Sequence, residues 1–405
     1  MPPIRPHDVE LEEFLTRGVA EVIFRDELAS ALRAGERRLR IKQGFDPTTK
    51  NLHIGHAVGL RKLKTLAQWG HEIVLIVGDW TTQIGDPTDR DITRPTKSRD
   101  EVMENARTYL DQFHLIVPRE GTRTVLQDEW FGTFGLRDVI DLTARFTVQQ
   151  MLAREEFRNR QAAGTAIPIK DLLYPLLQAY DSVAVEAEVE FGGTDQLFNI
   201  LAGRELQEML GQRPQWVFLV HLLEGLDGLK MSKSKPRTAI LLADAPEEMF
   251  GKVMAIADGF MPHYFEWATE MPMTDVRGTL NALARTDISP RDAKERLARR
   301  IVTELHSEAA AEDAARAFAR QFRQKQAPDD MPVVAIAPDG QPRVPIIDVL
   351  LRIGVPSRSE ARRLLSQRGV RVNDAVADER TTVPTSEESV VRFGARKFAR
   401  IRWTT

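Results

Sequence analysis

Between residues 39 and 77 the chain changes its hydrophobic period twice, and this alternation restricts the fold more than any other stretch. An apolar run at 39–41 is followed by helical spacing over 54–69 and a second apolar run at 72–77. That is the pattern of a strand, a crossover helix and a parallel strand. Further strands are expected at 124–127, 187–191 and 216–222, with helical stretches between them. The expected fold class is therefore α/β, with a Rossmann-like parallel sheet whose ligands sit beyond the carboxyl ends of the strands.

Past residue 236 the strand pattern stops, and helices are expected at 246–250, 273–284, 290–305 and 308–324. Five prolines (Pro328, Pro332, Pro338, Pro342 and Pro345) then argue for an extended linker. A small α+β part closes the chain, with Ser357 and Glu360 forming a capping box that opens a helix. The expected division is a catalytic α/β domain at 1–236, a helical domain at 237–327, a linker at 328–344 and the last domain at 345–405. Residues 136–163 read as an insertion or a subunit contact.

The chain has no cysteine, which excludes disulfides, thiolate metal sites and cysteine nucleophiles and fits a reducing cytoplasm. No apolar run approaches the ~20 residues of a spanning helix, and the first residues lack the basic start and apolar middle of a secretory signal. From Arg343 onward there are 13 Lys/Arg against 7 Asp/Glu, a balance of +6 in a chain whose total is −3. A basic tail on an acidic body points to an anionic partner such as nucleic acid.

Four clusters carry chemistry. The first is Gly44-Phe45-Asp46-Pro47-Thr48 followed by His53-Ile54-Gly55-His56, where the first strand hands over to a helix. Helix N-terminal amides favour an anion, and two imidazoles three apart add donors for developing negative charge on a phosphate. Gly55 lets a planar base approach the backbone. The second is Lys230-Met231-Ser232-Lys233-Ser234-Lys235, a cationic loop suited to a departing pyrophosphate. In the third, Tyr174, Gln178 and Asp181 share one helix face, able to hold a zwitterion with a hydroxyl at its far end. In the fourth, Gly192-Gly193-Thr194-Asp195-Gln196 permits close backbone approach and places Asp195 to accept from ribose hydroxyls.

The first two clusters, in this order and 177 positions apart from His53 to Lys230, resemble the HIGH and KMSKS motifs of class I aminoacyl-tRNA synthetases. The third narrows the resemblance to the bacterial-type tyrosyl-tRNA synthetase family. The resemblance implies ATP-dependent activation of tyrosine and its transfer to tRNA(Tyr), with His53, His56, Lys230 and Lys233 stabilising the phosphate. It places Asp46, Thr48, Gly55, Gly192, Asp195, Met231 and Ser232 at ATP. Thr81, Asp86, Tyr174 and Gln178 go to the tyrosine amino group, Asp181 to the phenol hydroxyl, and Gln196 faces substrate. Arg90 and Arg94 match a mobile basic loop.

One departure stands out: where many members carry a tyrosine two residues before Gly44, this chain has Lys42, which either donates to the phenol or points to solvent. Residues 346–372 resemble the S4-type RNA-binding module, with Arg358, Arg362, Arg363 and Arg368 at helical spacing. The resemblance further implies that 237–327 binds the anticodon, Mg²⁺ accompanies the pyrophosphate, no zinc or other protein-held metal is needed, and the chain is a cytoplasmic homodimer. A tryptophan-activating relative, a small-molecule nucleotidyltransferase and a catalytically silent RNA-binding scaffold are the rival readings.

Overall fold

A computed structural model describes residues 3–87, 97–232, 237–322, 331–338, 340–367, 369–373, 375–394 and 397–404. The chain divides into two compact units, Met1–Ala311 and Glu312–Thr405.

The first unit is built on a six-stranded sheet in the order β1-β6-β5-β2-β3-β4. Its strands are β1 (Val19–Ile23), β2 (Arg40–Phe45), β3 (Glu72–Val77), β4 (Thr122–Leu126), β5 (Val189–Gly193) and β6 (Trp216–Val220). All neighbours run parallel except the edge pair β1 and β6. The apolar run of β3 is buried from Ile73 to Val77 because helices cover both faces of a parallel sheet. The crossover helix is Ile54–Gln68, one residue shorter than expected. β1 escaped the sequence reading because five residues of mixed character carry little periodic signal, and its place comes from pairing with β6, remote in sequence.

Chain order reverses between β2 and β5, and this switch point opens the crevice in which the site lies. Helices Pro246–Met254, Met273–Ala284 and Pro290–Leu305 follow the sheet, burying Met249, Phe250, Leu297 and Ile301. They belong to the same compact unit as the sheet, so the expected boundary at 236 falls inside it.

In the second unit a five-stranded sheet has the order β10-β9-β12-β13-β7, and β8 and β11 form a separate pair. These strands are β7 (Val333–Ile336), β8 (Arg343–Pro345), β9 (Val370–Val372), β10 (Ala375–Val376), β11 (Thr382–Pro384), β12 (Ser389–Phe393) and β13 (Lys397–Trp403). Helices Ile346–Arg352 and Arg358–Ser366 contribute Ile346, Val349, Leu350 and Leu365 to a core shared with Val370, Val391 and Ile401. The expected linker at 328–344 is corrected here: Val333–Ile336 pairs in parallel with β13. Pro332 and Pro338 flank this edge strand without interrupting it, which is where sheets tolerate proline.

Candidate active site

Apart from Lys42, which sits within β2, each described residue expected at the substrates in the first unit lies at or beyond the carboxyl end of a strand, or on the helices that cover them. Asp46 and the two histidines follow β2, Thr81 and Asp86 follow β3, Asp195 and Gln196 follow β5, and the loop to Ser232 follows β6.

Asp181, buried on helix Ile169–Ala184, accepts from Gln127 Nε2 at 2.8 Å and from Trp130 Nε1 at 3.2 Å. Neither partner was anticipated from sequence. The only available signal was that both follow β4 at the sheet's ligand end. The Oε1 of Gln127 accepts from the backbone N–H groups of Trp80 and Thr81, so its amide nitrogen must face Asp181. Burial pushes the Asp181 carboxyl up to about 7, against the charge of Lys42 and the Gln127 hydrogen bond, which favour the carboxylate.

Asp46, expected at ATP, accepts hydrogen bonds from two residues assigned to the tyrosine amino group. Tyr174 donates its hydroxyl to Asp46 Oδ2 at 2.9 Å, and Thr81 donates to Oδ1 at 2.7 Å. This joins Asp46 to the residues assigned to the amino group. Burial, and then the charges of Asp46 and Asp86, hold the Tyr174 phenol well above its usual range, so it acts as a hydrogen-bond donor. Gly78, also unanticipated, makes the arrangement possible: a Cβ there would collide with the Asp46 carboxylate and the Thr81 hydroxyl. Asp86 accepts from Gln196 Nε2 at 2.9 Å, and Gln196 Oε1 accepts from Asn199 at 2.9 Å.

Lys42 corrects both expectations. It is fully buried, and its ammonium meets Gln178 O at 3.0 Å, Ser182 Oγ at 2.7 Å and Glu190 Oε1 at 2.9 Å. Two hydrogen bonds and an ion pair thus engage the ammonium within the fold, away from solvent. The cause is the sheet register, which places Lys42 beside Glu190 on the adjacent strand.

His53 and His56 stand on the first turn of helix Ile54–Gln68 with ring centroids 3.8 Å apart, and the His53 backbone N–H donates to His56 Nδ1 at 3.1 Å. Gly55 has a structural cause besides the expected approach of a base, since a Cβ would lie 3.0 Å from the His53 ring. This segment is tied to the one after the cationic loop: Ile54 N–H donates to Ile240 O at 2.8 Å and Leu242 N–H to Leu52 O at 2.9 Å. Within the loop, Met231 is buried and its N–H bonds Leu223 O at 3.0 Å, while Tyr264 holds Glu224 O at 2.6 Å. Met231 is thus an anchor for the loop. Lys230 reaches Asp195 Oδ2 at 2.6 Å, linking the loop to the proposed ribose site.

Thr48 N–H bonds Asp46 O at 2.8 Å in the turn that leads to the histidines. At Gly192 a Cβ would meet Ile200 at 2.7 Å, so glycine lets the following helix sit close. Lys233, Arg90, Arg94 and Arg368 lie outside the described residues. In the second unit Arg358 pairs with Asp348 at 2.6 Å and Arg363 with Glu360 at 2.6 Å, while Arg362 lies 3.9 Å from Glu379. All three remain exposed. Among the described residues no group of three or more His, Asp or Glu could hold a metal ion, and no helix is long and apolar enough to cross a membrane.

Residues 34–323 match the family model of class I tRNA synthetases (W and Y), and residues 344–389 match the S4 domain. A tyrosine–tRNA ligase of Dehalococcoides mccartyi is 47% identical over 96% of this chain and 98% of its own length. One of Thermotoga maritima is 43% identical over 97% of each. Among solved structures, a C-terminally truncated mitochondrial tyrosyl-tRNA synthetase of Aspergillus nidulans shares the fold with a TM-score of 0.62 at 22% identity, covering 78% of this chain and 93% of that one.

Proposed function

The chain belongs to the class I tRNA synthetases for tryptophan and tyrosine and acts as a tyrosine–tRNA ligase that uses ATP, and we propose the following division of labour among its residues. The tyrosine carboxylate attacks the α-phosphate of ATP, the bond to the β-phosphate breaks, and pyrophosphate leaves with tyrosyl-adenylate held in the crevice. The terminal ribose hydroxyl of tRNA(Tyr) then takes the tyrosyl group and AMP departs. No side chain forms a covalent intermediate, so catalysis is positioning plus charge stabilisation.

His53, His56 and Lys230, with Lys233, meet the charge that grows on the phosphates. Asp195 accepts from the ribose, alongside Gly192, Thr48, Gly55, Met231 and Ser232. Asp46 and Asp86, oriented by Tyr174, Thr81 and Gln196, together with Gln178, hold the tyrosine ammonium. Arg90 and Arg94 supply positive charge toward the substrate phosphates. Mg²⁺ would accompany the ATP phosphates and offset part of their charge.

The observation that carries the tyrosine assignment of the pocket is Asp181. A buried carboxylate with donors from Gln127 and Trp130 keeps acceptor capacity for one more donor, which a phenol hydroxyl supplies and a phenylalanine ring lacks.

The S4 segment supplies RNA affinity through Arg358, Arg362, Arg363 and Arg368, and the helices after the sheet meet the anticodon. A homodimer fits the exposed apolar side chains Leu136, Ile140 and Val148, which suit burial against a second copy; a cytoplasmic location goes with the same reading of the chain as a bacterial-type synthetase. The test is amino-acid-dependent ATP–pyrophosphate exchange across the twenty amino acids, followed by charging of tRNA(Tyr). Tyrosine alone should support both, and exchange with tryptophan instead would contradict the pocket assignment.

A further inference from the structure

Lys42 and Glu190 are register partners on β2 and β5, each at most 1% exposed, and their ion pair sits behind the helix that carries Gln178 and Asp181. Lys42 grips that helix at Gln178 O and Ser182 Oγ, which flank Asp181 in sequence. Glu190 Oε1 accepts from Gln178 Nε2 at 3.3 Å, and Oε2 accepts from Ser182 Oγ at 2.9 Å and from Gln215 Nε2. Gly203 lets the neighbouring helix close over the network, since a Cβ there would lie 2.8 Å from Ser182 Oγ and 2.9 Å from Gln215 Nε2. We propose that this pair is a positioning unit that determines specificity. Glu190 orients the Gln178 amide, and Lys42 supplies the positive field that keeps Asp181 able to demand a phenol hydroxyl.

The proposal rests on the assignment of Gln178 to the ammonium and Asp181 to the phenol. Its chemistry follows from what each group can do. A carboxylate only accepts, so Gln178 must turn its amide nitrogen to Glu190, and its carbonyl oxygen then points away, free to take an ammonium proton. Buried ion pairs seldom stabilise a fold more than apolar side chains of equal volume would, so stability is a weak reason for this one.

The groups facing Asp181 are Lys42 and Asp46 from β2 and its end, Glu190 from β5, and the neutral Gln127 and Trp130 from beyond β4. Burial opposes its ionisation most, Glu190 and Asp46 oppose it further, and Lys42 is the strongest influence in its favour. An ionised Asp181 leaves a buried charge short of a donor when phenylalanine binds, whereas a protonated one exacts a smaller penalty. Discrimination should therefore follow the ionisation of Asp181.

The test uses the full-length chain and measures the tyrosine-over-phenylalanine ratio of kcat/KM in pyrophosphate exchange from pH 5.5 to 8.5. The ratio cancels titrations common to both substrates. It should rise with pH in the parent. Lys42→Met should move the midpoint up by about one pH unit and Glu190→Gln should move it down. The variant Lys42→Gln/Glu190→Gln leaves no unpaired buried charge, so it answers the question even where a single substitution prevents folding. Its midpoint should move up by less than that of Lys42→Met, because Lys42 outweighs Glu190 at Asp181. Midpoints unchanged in folded variants, shifts of the same sign in both single variants, or an unchanged or lowered midpoint in the double variant would overturn the proposal. Asp181→Asn separates the two layers. A parent-like ratio in that variant would remove the phenol assignment itself, whereas a collapsed ratio beside unmoved midpoints would remove only the role of the pair.

Discussion

Gln127 donates its amide to Asp181 across 2.8 Å while its own oxygen is held by two backbone N–H groups at the end of β3, so the carboxylate meets a donor that cannot turn away. Gln127→Leu should keep the fold yet lower the tyrosine-over-phenylalanine ratio. A hydrogen bond to a charged group contributes about 1.5 to 3 kcal/mol, so a loss of roughly tenfold or more is expected in steady-state kcat/KM values. An unchanged ratio would mean that Gln127 only fills space.

Burial of Asp181 also has a stability consequence whose sign is definite. Its carboxyl is raised to about 7 in the folded chain, above the ordinary carboxylate value that applies when unfolded. The unfolded chain therefore releases this proton first, and the group's contribution to stability is lost as pH rises from about 4 to 7, then stays level. Asp181→Asn should raise Tm relative to the parent by a margin that widens over this range and is constant above it. Thermal melts at pH 4.5, 6 and 8 check this, and a margin that shrinks with pH would contradict it.

His56 is expected to act on charge present mainly in the transition state. His56→Ala should slow adenylate formation about a hundredfold while tyrosine KM stays within a few fold. Single-turnover adenylate formation measures the first and the dependence of exchange rate on tyrosine concentration the second. A change confined to binding would be the wrong outcome.

Because β7 completes the sheet of the second unit, a clean deletion must begin before residue 331 and not within the expected linker. A chain ending at Phe322 should catalyse pyrophosphate exchange at the parent rate and charge tRNA poorly, and raised salt should mimic the defect in the full chain by weakening phosphate contacts. Normal charging by the shortened chain at low tRNA concentration would remove the RNA role from this unit.

Much of this was legible in the sequence, and what was not shares one cause. Helices Met273–Ala284 and Pro290–Leu305 and strand Glu72–Val77 lie where local periodicity puts them, since their signals are carried by residues within a turn or two. The spacing of Tyr174, Gln178 and Asp181 placed them together because a helix makes that geometry local. Lys42 was misread because its environment depends on Glu190, on a strand nearly 150 residues away that becomes its neighbour only through the crossover. Gln127, Trp130 and Gly78 were missed for the same reason: none belongs to a motif, and each gains its role from a partner brought close by the sheet. The linker reading failed at Val333–Ile336 because proline density reports on backbone donors and says nothing of a distant edge such as β13.

The proposed reading of the phenol hydroxyl by Asp181 is tested by pyrophosphate exchange with tyrosine and phenylalanine by the parent and by Asp181→Ala at pH 8. The parent should strongly favour tyrosine, and the variant should lose most of that preference, chiefly through a fall in kcat/KM for tyrosine, while remaining folded. A variant that still prefers tyrosine as strongly as the parent would contradict the claim.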